Sequence, residues 1–196
     1  MGKIILTFLC SISLVWAQNP IQSTNNYTLA KKDTTYKELL YVSIKEQKMY
    51  HILNNKVIKI FTISTAEKGV GNVKNSEQTP LGLHSVKEKY GDTTPLNGRM
   101  IGRVFYGQIA TIYNDSSRSI TDDITTRILW LSGEEEGINK GGNVDSYQRY
   151  IYIHGTSEEG RLGRPASHGC IRMKNTDILE LYNKISVGTK ALILDK

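Results

Sequence analysis

The chain has 196 residues, a formal net charge of +6 and an apolar fraction of 39%, which is enough for one domain and a short extension. Its lysines are scattered, and it has neither an arginine-rich run nor an aromatic-basic motif, so the composition argues against a nucleic-acid-binding protein. The positive charge fits either an anionic partner or an ordinary solvated basic surface.

Residues 1–17 have the pattern of a secretory signal peptide. Lys3 supplies the positive start, an apolar run extends to Trp16, and Ala17 ends a plausible cleavage site. The alternative is a membrane anchor, but the run is shorter than the roughly 20 apolar residues that a span needs. We therefore expect export to a periplasm or cell wall. Residues 18–37 are polar and predict a linker or a loosely attached arm.

From residue 38 onward the pattern becomes that of a mainly β domain, which we place at 38–196. Apolar and β-branched residues predict strands at 39–44, 49–53, 57–64, 81–86, 103–106, 127–131, 150–154 and 191–194. Asn54 and Asn55 separate the second and third of these strands, and asparagine tolerates the positive φ of a tight hairpin.

The remaining segments predict loops and one convincing helix. Residues 88–125 are rich in Gly, Asp, Ser and Thr, and 132–146 contains four glycines, as expected of a long loop that covers a site. Residues 176–185 have an apolar stripe at helical spacing, with Asn175 or Thr176 as the expected cap. The fold class is therefore mainly β with one or two short helices.

Cys170 carries the strongest chemical signal of the chain. The other cysteine, Cys10, lies in the predicted signal, so the exported form would keep a single thiol that cannot form an internal disulfide. A thiol nucleophile needs a base or a lowered pKa. His168 precedes Cys170 by two residues, and His154 ends a predicted strand whose other face carries isoleucines. Either histidine is a candidate base.

The neighbouring residues fit attack on an amide carbonyl. Gly169 permits unusual backbone angles and lets N–H groups approach an oxyanion, and the Gly155 carbonyl is available to orient His154. The planar guanidinium of Arg172 suits a substrate carboxylate, although a structural ion pair is equally compatible with it. His168 has an alternative role as a hydrogen-bonding group of the turn.

Other chemistry has weaker support. A zinc site made by His154, His168 and Cys170 matches no common ligand spacing, so we expect neither a metal nor a cofactor. His51 and His84 lie on strand-like stretches without a partner pattern, which favours surface or packing roles.

The residues around Cys170 resemble the L,D-transpeptidase catalytic domain, the YkuD family. The family pattern is a His-Gly pair, a spacer, and Ser/Thr-His-Gly-Cys followed by a hydrophobic residue and Arg. It stands here as His154-Gly155-Thr156 and Ser167-His168-Gly169-Cys170-Ile171-Arg172. Gln78-Thr79-Pro80-Leu81-Gly82 is similar to the family's Thr-Pro-x-Gly segment. The resemblance covers about 38–195.

The resemblance implies a β-sandwich-like fold and a peptidoglycan enzyme. Cys170 would attack the bond between a diamino acid and D-alanine in a stem tetrapeptide, form a thioester, and pass the acyl group to an amine of another stem. His154 would be the base and Gly155 its orienting carbonyl. The backbone N–H groups around Gly169 and Cys170 would form the oxyanion hole, and Ser167 and His168 would support it.

The family also implies carbapenem inhibition, and residues 132–146 occupy the position of its substrate-covering lid. The sequence leaves the acceptor open. Water would make the enzyme an L,D-carboxypeptidase, and a lipoprotein lysine would make it a lipoprotein attachment enzyme. A wall-binding protein without activity is disfavoured by the intact motif, and the residues that flank a papain-like cysteine are absent.

Overall fold

The computed structural model describes residues 19–31 and 36–196. The predicted signal at 1–17 lies outside the described residues. Among the described residues, no helix is both long enough and apolar enough to cross a membrane.

Strands dominate the part of the chain that the structure describes. Two α-helices lie at the two ends, α1 (Pro20–Ala30) and α2 (Asn175–Lys184). The strands are β1 (Glu38–Ser43), β2 (Lys48–Leu53), β3 (Lys56–Ser64), β4 (Gly82–Tyr90), β5 (Gly98–Ile101), β6 (Val104–Ile109), β7 (Ile124–Gly133), β8 (Tyr152–Thr156), β9 (Ile171–Met173) and β10 (Lys190–Leu194). The mainly β fold class that the sequence predicts is confirmed.

All ten strands belong to one sheet, in the order β4-β10-β1-β2-β3-β9-β8-β7-β5-β6. An additional pairing of β4 with β7 joins the first strand of this order to the eighth. Eight strands therefore close into a ring, and the β5–β6 hairpin extends from β7 outside it. Within the ring, β8 and β9 are parallel neighbours.

The side chains of the strands alternate between two faces, because successive residues of a strand point to opposite sides. On β7, Leu129 and Leu131 belong to the main core together with the apolar stripe of α2, while Ile128 and Trp130 belong to a separate cluster on the other face. Cys170 packs against this second cluster. The alternation therefore separates the stabilising core from the face that carries the thiol.

Helix α1 is the largest difference from the sequence prediction, which assigned 18–37 to a linker. Asn19 caps the helix by accepting the N–H of Ile21 at 3.0 Å, and Pro20 occupies the first turn. Ile21 and Tyr27 pack on an apolar cluster formed by β1, β2, β4 and β10. The segment is too polar to reveal a helix by periodicity, and tertiary contacts hold it in place.

Two local predictions are confirmed and one is wrong. Asn54 and Asn55 close the β2–β3 hairpin with positive φ values of 48° and 57°, and the predicted helix agrees with α2 to within a residue. The predicted cap is wrong, since Lys174 is the N-cap and makes no side-chain capping bond. Glu159 instead accepts the N–H of Asn175 at 2.9 Å.

Candidate active site

Cys170 lies directly before β9, next to the start of β8. Its Sγ donates to the carbonyl oxygen of Tyr150 and accepts from the backbone N–H of Tyr152, each at 3.4 Å. Tyr150 has φ +58°, an unusual conformation for a residue with a side chain. The thiol is thus held by two backbone groups of the segment that leads into β8.

The protein keeps this thiol protonated at neutral pH. The removal of Sγ from water by the surrounding protein raises the pKa of Cys170 to about 11, although the Tyr152 N–H and the charges of Arg172 and Arg149 act in the opposite direction. A neutral thiol is a poor nucleophile, so reaction at Cys170 requires a base that takes its proton during attack.

His154 on β8 has the properties of such a base. Its side chain is 2% exposed, and burial lowers its pKa to about 4, so the imidazole is neutral at physiological pH. Nδ1 lies 2.7 Å from the Gly155 carbonyl oxygen. Since a carbonyl can only accept, the proton is assigned to Nδ1, and Nε2 keeps a free lone pair.

The strand register brings His154 and Cys170 to the same face. Ile153 pairs with Ile171 and His154 pairs with Arg172, and both isoleucines point into the main core. The residues before and after Ile171 and Ile153 therefore point to the opposite face. No hydrogen bond joins Cys170 to His154 among the described contacts. Such bonds are often long or poorly aligned in unliganded enzymes, so the missing bond does not argue against His154 as the base.

The segment before Cys170 has a defined backbone conformation. Gly169 has φ +131°, a region that side chains other than glycine rarely enter. The hydroxyl of Ser167 donates to the Cys170 carbonyl at 2.6 Å and accepts the Gly169 N–H at 3.2 Å. The hydroxyl of Thr79 donates to the Gly169 carbonyl at 3.0 Å. Three of the four polar backbone groups of Gly169 and Cys170 are thus occupied.

The fourth group is the N–H of Cys170, and it has no acceptor among the described residues. A free N–H beside a nucleophile can donate to an oxyanion. The Gly169 N–H is already bonded to Ser167, so of the two donors that the sequence suggests, the Cys170 N–H is the one available.

The contacts of Arg172 favour a structural ion pair over direct substrate binding. Its side chain is 2% exposed, and its guanidinium is paired with Glu158 at 2.7 Å and with Asp122. Both terminal nitrogens of the guanidinium are paired with buried or half-buried carboxylates. Arg172 therefore links β9 to the loops that carry Asp122 and Glu158. This is the structural ion pair that the sequence analysis kept as the alternative.

His168 occupies a different environment from His154. Its side chain is 63% exposed, and its Nδ1 lies 2.6 Å from Oδ2 of Asp122. Burial alone would raise the pKa of Asp122, but Arg172 and His168 outweigh it and hold that pKa below its usual value. Asp122 was missed by the sequence analysis, because it lies 46 residues from His168 in a loop without any motif.

A cavity of about 450 Å³ is lined by His168, but not by Cys170, His154 or Asp122. One wall is aromatic, because Trp130 stacks with Tyr147 and Tyr150 at ring-centroid distances of 4.1 and 5.4 Å. The other lining residues are mostly charged or polar: Lys74, Asn75, Glu77, Gln148, Arg149, Ile151 and His168. The cavity is suited to an elongated ligand with both apolar and charged groups.

The expected lid does not line this cavity. Residues 132–146 fold back on β4, where Asn139 donates to the carbonyls of Leu81 and Leu83 at 3.1 and 3.0 Å. The cavity walls instead come from 74–77 and 147–151. The glycine content of the loop indicated an irregular segment, but only its tertiary contacts show where it lies.

The other two histidines have packing roles. Nε2 of His51 lies 2.8 Å from Glu38. His84 is fully buried between the Gly82 carbonyl and the Ser146 hydroxyl, and burial lowers its pKa to about 4. Across the described residues, no three His, Cys, Asp or Glu side chains are grouped as metal ligands.

The comparisons with known proteins agree on one family. A family model described as the L,D-transpeptidase catalytic domain, YkuD, matches residues 37–193. The Bacillus subtilis protein named "Putative L,D-transpeptidase YqjB" is 27% identical over 194 residues, covering 96% of this chain and 85% of that protein.

Solved structures agree in fold. An L,D-transpeptidase from Xylanimonas cellulosilytica superposes with a TM-score of 0.51 at 16% identity, covering 87% of this chain and 69% of that one. L,D-transpeptidase LdtMt1 in complex with imipenem superposes with a TM-score of 0.50 at 15% identity, covering 81% of this chain and 59% of that one. At these identities the likeness shows the fold.

Proposed function

The chain belongs to the L,D-transpeptidase catalytic-domain family, YkuD, and from this premise we propose that it is a peptidoglycan L,D-transpeptidase with Cys170 as its nucleophile and His154 as its base. The observation that carries the proposal is that the two side chains share one face of the parallel strands β8 and β9, while the Nδ1 bond to Gly155 leaves Nε2 of His154 free to accept a proton.

In the first half-reaction Nε2 of His154 takes the thiol proton as Sγ attacks the carbonyl between the diamino acid and D-alanine. The low proton affinity of the buried imidazole makes it a weak base, but it also makes His154⁺ a strong acid toward the leaving amine. The C–N bond breaks, D-alanine leaves with that proton, and Cys170 holds the acyl group as a thioester. The Cys170 N–H supports the oxyanion during the attack.

In the second half-reaction an amine of another stem attacks the thioester and forms a 3-3 cross-link. The same thioester with water would give a tripeptide, the product of an L,D-carboxypeptidase. The acceptor therefore decides between the two activities, and a direct analysis of products distinguishes them.

Two further expectations accompany this function. We propose that the protein works outside the cytoplasm, in a periplasm or cell wall, since the substrate lies there and residues 1–17 have the pattern of an export signal. We also propose that carbapenems acylate Cys170, supported by the imipenem complex of the structurally similar LdtMt1.

The test is mass spectrometry of the protein after incubation with a stem tetrapeptide, with and without an amine acceptor, and after incubation with imipenem. Wild type should gain one acyl group on the Cys170 peptide, release D-alanine, and yield a cross-linked dimer when acceptor is present. Cys170→Ala should gain none, whereas Cys10→Ser should behave like wild type. An adduct on another residue of Cys170→Ala would refute the assignment.

A further inference from the structure

We propose that His168, oriented by Asp122, is the base that accepts the proton of the acceptor amine in the second half-reaction. The proposal rests on the function proposed above and assigns different proton transfers to two histidines, with His154 serving the thiol and His168 serving the incoming amine.

The geometry of His168 is that of an oriented imidazole with one free nitrogen. Nδ1 lies 2.6 Å from Oδ2 of Asp122, and an ionised carboxylate can only accept, so the neutral ring carries its proton on Nδ1. Among the described residues only Asp122 hydrogen-bonds the ring, which leaves Nε2 with a free lone pair. The other oxygen of Asp122 is paired with the buried guanidinium of Arg172, which fixes the carboxylate in place.

Exposure separates the two histidines. His168 lines the 450 Å³ cavity and is 63% exposed, whereas His154 is 2% exposed. An amine that arrives through the cavity can therefore meet the exposed ring of His168. His168 is two residues before Cys170 in the chain, and the proposal requires both side chains to reach the same acyl carbonyl.

Charges of both signs surround His168, since Lys74, Arg149 and Glu77 line the same cavity. Asp122 remains ionised, and Glu67 and Glu77 also interact electrostatically with the ring. Glu67 is paired with Arg118 and Glu77 with Lys68, on the exposed surface. These ion pairs balance the carboxylates, so the proposal depends on the free Nε2 of His168 and not on the local charge.

The acceptor reacts as the neutral amine. Its nitrogen forms a bond to the acyl carbon and transfers one proton to Nε2 of His168. The C–S bond breaks, and its electron pair stays on Sγ of Cys170. Water supplies a proton to the thiolate through Nε2 of His154, and His168 returns the proton of the amine to water, so that both histidines and the thiol are restored for the next cycle.

The test measures how the acyl-enzyme divides between amine and water. His168→Gln keeps a polar side chain at an exposed position, so folding should be unaffected. We expect its acylation by a stem tetrapeptide to slow by less than about threefold, and its ratio of aminolysis to hydrolysis to fall by about 10²-fold, the lower end of general-base effects. The deficit should be confined to aminolysis, the only step that removes a proton from the amine, whereas a purely structural role would lower acylation and aminolysis together.

Asp122→Asn and Glu158→Gln form the matched pair for the positioning residue. Each removes one carboxylate partner of Arg172, but only Asp122 contacts His168. With folding verified by thermal melting, Asp122→Asn should lower the partition ratio and Glu158→Gln should leave it unchanged. The proposal is overturned if His168→Gln partitions like wild type, or if its acylation falls as much as its aminolysis. Failure of the proposed function would look different, because wild type itself would not be acylated.

Discussion

The hydroxyl of Thr79 donates a 3.0 Å hydrogen bond to the carbonyl oxygen of Gly169, 90 residues further along the chain. Thr79 is fully buried and also accepts the N–H of Ala66 at 2.9 Å. This one side chain therefore ties the segment after β3 to the backbone immediately before Cys170, and it gives a physical reason for the threonine of the Thr-Pro-x-Gly segment.

Replacing Thr79 by Val keeps its shape and removes both bonds. Two buried backbone groups would then lack partners, at a cost of about 1–3 kcal/mol for each. We expect a lower urea midpoint and slower acylation of Cys170 by imipenem. Thr79→Ser keeps the hydroxyl, so its urea midpoint and its rate of acylation should fall much less. Equal losses in the two variants would show that packing of the methyl group, and not the hydrogen bond, is what matters.

Arg172→Met should lower the stability of the protein and leave its affinity for substrate largely unchanged. Removing the guanidinium breaks a buried ion pair, which costs about 3–5 kcal/mol when the remaining charge has no other partner. Glu158 keeps Arg161 at 3.3 Å, so we expect a loss near the lower end of that range. Arg118→Met is the control, since it breaks an exposed pair with Glu67 and should change stability far less. Chemical denaturation measures both. A variant of Arg172 with wild-type stability and a raised KM for stem peptide would restore the substrate-binding role.

Stability should fall as pH decreases from about 6.5 to about 4. His84 and His154 have their pKa lowered from 6.5 to about 4 by burial, so in this window the unfolded chain binds protons that the folded protein does not. The free energy of unfolding therefore rises with pH across the window, by about 3 kcal/mol for each histidine. Above the window it levels off. Urea unfolding at several pH values measures the slope.

The matched variant for this slope is His84→Gln, which removes one of the two titrations. It should give a shallower dependence between pH 6.5 and 4, whatever its stability at pH 7. A free energy of unfolding that is constant from pH 7 to pH 5 would contradict the buried, neutral state of both histidines.

The rate at which iodoacetamide alkylates Cys170 should keep increasing with pH up to about pH 11. Only the thiolate reacts, and burial raises the pKa of this thiol to about 11. Mass mapping of the Cys170 peptide after timed labelling gives the rate, with glutathione under the same conditions as the reference. A rate that is already constant above pH 7 would indicate a thiolate–imidazolium pair at rest and would contradict the neutral pair described above.

Local signals were read correctly from the sequence, and contacts between distant segments were not. The Asn54-Asn55 turn and helix α2 depend on the backbone preferences of neighbouring residues, which a short window contains. Strand β9 has only three residues, and its state depends on pairing with β3 and β8. Helix α1 is stabilised by Ile21 and Tyr27 packing on the sheet, a contact that its polar composition does not reveal.

By itself, the sequence determined the mainly β class, the candidate pair of Cys170 and His154, and the resemblance to one family, because residue order carries strand alternation and a motif. Only the tertiary structure decided which groups those residues meet. In the structure Arg172 is buried between two carboxylates, and Asp122 hydrogen-bonds His168. Residues 147–151 line the cavity, whereas the expected lid at 132–146 does not. The closed sheet brings loops that are distant in the chain together on one face. Charge pairing and burial depend on this proximity in space, so they cannot be inferred from residue order.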